Sequence, residues 1–265
     1  MRLKDKVAIV TGGGKGIGKA ISLAFAAEGA TVVIAARDLS KLEETVEEIK
    51  AKGSKAKAIQ TDIADEKQVQ RMVTETLKEY GQIDILVNNG AIAGPRANVV
   101  DLKLADWNEV LAINLTGSLL CAREVLKHMI PRRSGVIINI AAEGGRTGDG
   151  RSGYPMRSPY CCAKMGLIGL TETLSVEVGQ YNIRVNAISA AAVRGERMQK
   201  LWKARAEALG ITVEELERKG MERYSLRRPA EPSELASCAV FLASDESSAI
   251  TGQTVVNHCG HHTIF

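Results

Sequence analysis

Residues 7–18 read Val-Ala-Ile-Val-Thr-Gly-Gly-Gly-Lys-Gly-Ile-Gly, and this stretch restricts the fold more than any other. Val7–Val10 is an unbroken apolar run with the length and character of a strand buried on both faces. Thr11 and a dense run of glycines follow, and then Ile17, Ala20, Ile21 and Ala24 recur at helical spacing. A strand, a glycine turn and a helix N-terminus in that order make an anion site. The first helical N–H groups are unpaired, and the helix dipole places partial positive charge there. Glycine matters because a phosphate can approach the main chain only where no Cβ intervenes. The spacing Gly12-x-x-x-Gly16-x-Gly18 is not the G-x-G-x-x-G fingerprint, and no Gly-Lys-Ser/Thr closes the turn, so a P-loop is excluded. Taken alone, the turn could also be a tight strand–helix connection that binds nothing.

The rest of the chain repeats the pattern. Strands are expected at Thr31–Ala36, Ala56–Gln60, Asp84–Val87, Gly135–Ile140, Ile183–Ile188 and Gln253–Val256. Between them lie helical patterns: the first to about Glu28, then Leu39–Lys52, Asp65–Tyr80, Trp107–Met129, Pro159–Gln180 and Pro232–Leu242. Strands alternating with helices at this pitch predict an α/β fold: a single doubly wound Rossmann-type domain over residues 1–265. Its seven-stranded sheet is expected to be mainly parallel, with helices on both faces. Arg194–Arg223 is charged and helical in pattern, with Gly210 and Gly220 as breaks; it is expected to form a helical lid over about 194–224.

Bulk properties narrow the function. A formal charge of +4 on 265 residues suits an anionic ligand but not a nucleic-acid surface. No apolar run approaches the roughly 18 residues of a membrane span. The first strand begins at Val7, so no secretory leader is expected. Five cysteines at irregular spacing fit free thiols in a reducing cytoplasm.

Two places carry chemistry. The second strand ends in Ala36, Arg37 and Asp38, where an adenosine ribose lies in a doubly wound fold. An acidic strand end would grip the 2′-hydroxyl of NAD; Arg37, with Lys15 in the glycine turn, suits a 2′-phosphate and favours NADP(H). Asp38 argues the other way unless it caps the next helix. Farther on, Tyr160 and Lys164 stand four residues apart on one helix face, where an ammonium favours the phenolate and so makes a reversible proton donor.

The order Thr11-Gly-x-x-x-Gly16-x-Gly18, Asp62, Asn88-Asn89, Asn114, Tyr160-x-x-x-Lys164 and Ile183-Arg-Val-Asn186 resembles the short-chain dehydrogenase/reductase family over essentially the full length. The resemblance implies a cofactor set of Gly12, Gly14, Lys15, Gly16, Ile17, Gly18, Arg37, Asp62, Ile63, Asn88, Gly90, Tyr160, Lys164 and Val193. Within it Gly12, Gly16, Ile17 and Gly18 hold pyrophosphate, Asp62 and Ile63 meet adenine, and Asn88 supports the ribose region. Lys164 bonds the nicotinamide ribose, Asn114 holds a water behind it, and Tyr160 is the acid/base for hydride transfer between a carbonyl and a carbinol. It also implies a small-molecule substrate and a homotetramer or homodimer built on the helices around 107–129 and 159–180.

The sequence departs from the family at the reacting end. The catalytic serine position is Ala142, which has no hydroxyl. Pro-Gly after the sixth strand is Ala190-Ala191, Arg194-Gly195 stand where a threonine is usual, and the Asn-Asn-Ala-Gly turn reads Asn88-Asn89-Gly90-Ala91. A substitute donor is sought among Thr147, Ser152, Tyr154 and Ser158; the alternative is a fold that keeps its cofactor for non-redox catalysis or has little activity. Arg146, Asp149, Arg151 and Arg157 in the loop, and Arg194, Arg197, Lys200 and Lys203 in the lid, suit a polar or anionic substrate if they are not a solvated face. His258, Cys259, His261 and His262 replace the family's Asp-Gly-Gly; their donor types suit zinc, but the spacing does not, and no metal is expected.

Overall fold

The computed structural model describes residues 1–142 and 154–261, apart from the side chain of residue 197. Seven strands form one sheet: β1 (Val7–Thr11), β2 (Thr31–Ala36), β3 (Ala56–Gln60), β4 (Ile85–Asn88), β5 (Gly135–Ala142), β6 (Ile183–Ala190) and β7 (Thr254–Asn257). Their order is β3-β2-β1-β4-β5-β6-β7, and every neighbouring pair is parallel. The chain winds outward from β1 in one direction and from β4 in the other. The crevice at this switch point, at the carboxyl ends of the strands, is where such sheets bind ligands.

Helices cover both faces, and alternation along each strand assigns residues to them. Ala8, Val10, Ile34, Val87 and Ile138 pack with α1 (Gly16–Ala27), α2 (Leu39–Ala51) and α9 (Pro232–Ala243). Ile9, Val33, Leu86, Ile137 and Val185 pack with α3 (Glu66–Tyr80), α5 (Gly117–Arg132) and α6 (Ser158–Gly179). Two apolar cores therefore sandwich the sheet, which is why its strands read as continuous apolar runs. The motif Ile183-Arg-Val-Asn186 joins the last elements: Arg184 donates to the carbonyls of Ser244 and Ile250, and Asn186 pairs with the carbonyl of Ile250 and the N–H of Gln253.

Three local features differ from the sequence pattern. The helix expected over Trp107–Met129 is longer and interrupted. It comprises α4 (Leu104–Leu111), a π-turn (Ala112–Thr116) and α5. Asn114 sits in the π-turn, accepting the Ile92 N–H at 2.8 Å and donating to the Ile92 carbonyl at 2.9 Å. An amide bonded at both ends to the segment after β4 accompanies this local change of helical pitch. Secondly, the charged segment after β6 forms α7 (Glu196–Leu209) and α8 (Val213–Met221). Gly210 ends α7 in the left-handed region, as expected, but Gly220 lies inside the last turn of α8. A Thr212 cap and a Glu215–Lys219 pair at 2.7 Å support α8, against the roughly 1 kcal/mol that an interior glycine costs. Finally, β5 and β6 run on to Ala142 and Ala190, two residues past the expected ends, with Ala141 beside Ser189 and Ala142 beside Ala190. Ala190 keeps the N–H that a proline would lack, so the ladder can continue.

Candidate active site

The glycine turn between β1 and α1 is shaped for contact with a ligand. Gly12 and Gly16 have φ of +67° and +55°. Nothing lies within 4 Å of a Cβ built on Gly16, so that glycine answers to backbone conformation alone. Gly18 answers to crowding: a Cβ there would stand 2.3 Å from the Gly12 carbonyl oxygen and 2.4 Å from Nδ2 of Asn89. The end of β4 holds this turn. Thr11 Oγ1 accepts the N–H groups of Asn89 and Gly90, each at 3.0 Å, and donates to the Val87 carbonyl. Gly90 and Gly117 both lie close against buried Ile63, where added Cβ atoms would approach to 2.9 and 2.8 Å. Gly14 passes over the Lys41 carbonyl, and Lys15 and Arg37 are exposed at the rim.

At the adenosine end, Asp38 caps α2 by accepting the Lys41 N–H. The one carboxylate that argued against a 2′-phosphate is thus engaged with the helix. Asp62 accepts the Ala64 N–H at 3.0 Å, and its own N–H donates to Gln68, fixing the turn beyond β3. Asn88 lies deeper than the ribose-supporting role implies. Its Nδ2 donates to Ser118 O and to Asn139 Oδ1, and Asn139 donates to Thr171 on α6 at 2.8 Å. The Oδ1 of Asn88 is buried without a partner.

At the other end, α6 lays Tyr160 and Lys164 over β5 and β6. Lys164 is only 3% exposed, its Nζ donates to the Ile140 carbonyl at 2.6 Å, and the same Nζ lies 5.9 Å from the Tyr160 ring centre. Asn114 is fully buried, with both ends of its side chain bonded to Ile92. The Asn114 main-chain oxygen accepts the Ser118 hydroxyl at 3.4 Å. Val193 bridges Ala230 in parallel, with Arg194 N–H donating to Ala230 O and Ala230 N–H to Ala192 O; this geometry turns the Val193 N–H away from Ala230.

A glycine cradle at the switch point and a buried Lys164 beside Tyr160 meet what comparison with known proteins returns. The sequence model described as Enoyl-(Acyl carrier protein) reductase matches residues 12–262. The chain belongs to the short-chain dehydrogenase/reductase family. It is 38% identical over 258 residues to the 3-oxoacyl-[acyl-carrier-protein] reductase of Thermotoga maritima, covering 96% of this chain and 97% of that protein. Among solved structures, NAD+-bound xylitol dehydrogenase superposes with a TM-score of 0.90 at 30% identity, covering 98% of this chain and 100% of the other. An actinorhodin polyketide ketoreductase variant with NADPH superposes equally well, at 0.90 and 30% identity, covering 96% of each chain. As a short-chain dehydrogenase/reductase, the chain is an oxidoreductase of the nicotinamide-dependent class.

The described residues fit such a cofactor. The helix start at Gly16 has no side-chain cap and open space beside it, and the Val193 N–H points away from its bridge partner. Ala142, expected from the sequence to stand at the serine position, is 7% exposed at the end of β5. Of the candidate substitutes, Thr147 and Ser152 lie outside the described residues, as do Arg146, Asp149, Arg151 and His262. Tyr154 is exposed, and the Ser158 hydroxyl is buried without a partner. Arg157 donates to the Ala93 carbonyl, and Arg194 pairs with Glu231 at 2.7 Å, so neither guanidinium is simply open to an anionic substrate. Among the described residues no His/Cys/Asp/Glu group could hold a metal, and no helix is long and apolar enough to cross a membrane. Neither the hold of Asn89 on the Thr11 and Gly12 carbonyls nor the Asn139–Thr171 link is evident from residue spacing. A buried amide in the apolar run Ile-Ile-Asn139-Ile was the available signal.

Proposed function

We propose that this chain is an NADP(H)-dependent oxidoreductase that moves hydride between nicotinamide and a carbonyl/alcohol pair of a small molecule. The observation that carries the reading is the buried Lys164 beside Tyr160, on the helix that packs against β5 and β6. When bound, the cofactor supplies or accepts the hydride. Tyr160 Oη gives a proton to the carbonyl oxygen as the carbon is reduced, or takes it back in oxidation. Lys164 holds positive charge beside that phenol, and Val193 presents an N–H to the nicotinamide end. The glycine turn and the start of α1 hold the pyrophosphate, Asp62 and Ile63 border the adenine, and Lys15 and Arg37 favour a 2′-phosphate.

The names of the relatives direct the substrate search toward 3-oxoacyl thioesters and other β-keto compounds. Homotetramer assembly through α4, α5 and α6 accounts for apolar side chains exposed on the last two, including Leu119, Met165 and Val176. The test is reduced-nicotinamide absorbance with NADPH and a panel of 3-oxoacyl thioesters and small ketones, with Tyr160→Phe as the control. Turnover lost in that variant supports the reading; wild-type protein that binds neither NADPH nor NADH overturns it.

Ala142 favours a second reading, in which the cofactor is retained for a rearrangement, elimination or cyclisation. Product formed without net change in nicotinamide absorbance selects it over hydride transfer.

A further inference from the structure

We propose that His258 is a positioning residue for the nicotinamide end of the site, acting through Tyr224; the inference rests on the reading above that the segment around Val193 receives the cofactor. The Nδ1 atom of His258 accepts two main-chain N–H groups, from Gly260 and His261, each at 3.1 Å. A ring nitrogen that accepts carries no proton, so this turn requires a neutral imidazole protonated on Nε2. The turn places Cys259 at a φ of +55° and brings the His261 ring to 4.5 Å from that of Tyr224.

The same turn fastens the segment after α8. Tyr224 and His261 pair in antiparallel fashion, Ser225 N–H donates to Gly260 O at 2.9 Å, and Leu226 N–H donates to Cys259 O at 3.1 Å. Tyr224 is 7% exposed and accepts the Ala192 N–H through its hydroxyl oxygen at 3.4 Å. Ala192 and Arg194 in turn grip Ala230 on either side of Val193. The contacts thus run from His258 through His261 and Tyr224 to the main chain next to Val193. This is where the family's Pro-Gly is replaced by Ala190-Ala191, so the rigidity that a proline would give must come from elsewhere.

Protonating Nδ1 removes both acceptor bonds of the turn, because a protonated ring nitrogen has no lone pair to offer Gly260 or His261. Among the described residues, the titratable and charged groups facing the turn include Tyr224 after α8, Arg228, Glu231 and Glu234 around the start of α9, and Cys259 and His261 on the turn itself.

The experiment compares wild-type protein with His258→Asn, whose amide oxygen replaces Nδ1 as an acceptor without titrating, and with His258→Leu, which has no acceptor. Amide hydrogen exchange over residues 192–194 and 224–226 and NADPH affinity are followed between about pH 8 and pH 5.5. Intrinsic exchange rates and the titration of the 2′-phosphate are common to all three proteins and cancel. The expected result is a wild type that loses protection and about tenfold in affinity, beyond any change in the Asn variant, as pH falls. The Leu variant is expected to be weak and unprotected throughout. The inference is overturned if the Asn variant follows the wild-type pH course, or if the Leu variant is as protected as wild type at the upper pH. Should the wild type bind no coenzyme, the functional reading fails, while the exchange data still decide whether His258 holds the strut.

Discussion

The side-chain amide of Asn89 donates to the main-chain oxygens of both Thr11 and Gly12, at 2.9 and 3.2 Å, so the end of β4 holds the turn that follows β1. That bond spans the switch point of the sheet and fixes the curvature on which a pyrophosphate would rest. Asn89→Ala leaves two part-buried carbonyls without this donor and is expected to cost about 1–3 kcal/mol of stability. Coenzyme affinity should fall with it. Gly18→Ala should do worse for binding, because its methyl would overlap the Gly12 carbonyl. Calorimetric unfolding and fluorescence titration measure the two effects, and unchanged coenzyme affinity in both variants would contradict a cofactor role for this turn.

Lys15 and Arg37 are exposed beside the glycine turn and the end of β2, Asp38 is engaged with α2, and the proposed NADP(H) preference assigns these two cations to the 2′-phosphate. A charge-assisted hydrogen bond to phosphate is worth about 1.5–3 kcal/mol, so Arg37→Ala should weaken NADPH roughly ten- to hundredfold and leave NADH nearly unchanged. Ala36→Asp should turn the preference toward NADH by offering a carboxylate to the ribose. Parallel titrations with the two coenzymes give the answer; equal losses for both would mean that Arg37 does not read the phosphate.

What the sequence made legible is what repeats. Apolar runs such as Val7–Val10 announced parallel strands because both faces are covered, but the order β3-β2-β1-β4-β5-β6-β7 depends on pairings between distant segments that no single run encodes. Tyr160 and Lys164 could be paired from their spacing because helix geometry places residues four apart on one face. The π-turn around Asn114 was not legible, since it depends on Ile92, far away in the chain but adjacent in space. Nor was the depth of Asn88, whose partners Asn139 and Thr171 come from β5 and α6. The role of His258 was hidden for the same reason: a histidine that accepts N–H groups in its own turn looks, as a letter, like a metal ligand.

Ala142, which the sequence resemblance aligns with the catalytic serine, carries only a methyl group and is buried at the end of β5. A donor aimed at a developing oxyanion contributes about 10²–10³ in rate. Ala142→Ser should therefore raise kcat by up to that factor if hydride transfer is limited by the missing bond, with little change in NADPH affinity. Steady-state kinetics on the best substrate of the panel tests this. No gain in turnover would mean that another group already serves the oxygen or that the chemistry is of another kind.

Glu234 links stability to pH at the entrance of α9. Arg228 donates to both of its oxygens, at 2.8 and 2.7 Å, and the Glu231 N–H donates at 2.8 Å. The Arg228 bonds first, and the Glu231 N–H second, hold its carboxyl down at about 2 against an ordinary 4.5. A carboxyl depressed in the folded state contributes stability that is present above the unfolded value and is lost as pH falls toward the folded one. The window here runs from 4.5 down to about 2. Solvent screening trims the effect, since both side chains of the pair are partly exposed. Glu234→Gln keeps an amide that can close the capping box of α9 but loses the ion pair. The variant should be less stable than wild type at neutral pH, and the gap should close as the pH falls through that window. Urea unfolding at a series of pH values measures the gap, and one that stays constant to the acid end would show that the Arg228 pair contributes nothing. A weakened start of α9 would also loosen Pro229-Ala230, the stretch that bridges Val193, so loss of the pair should lower coenzyme affinity as well as acid resistance.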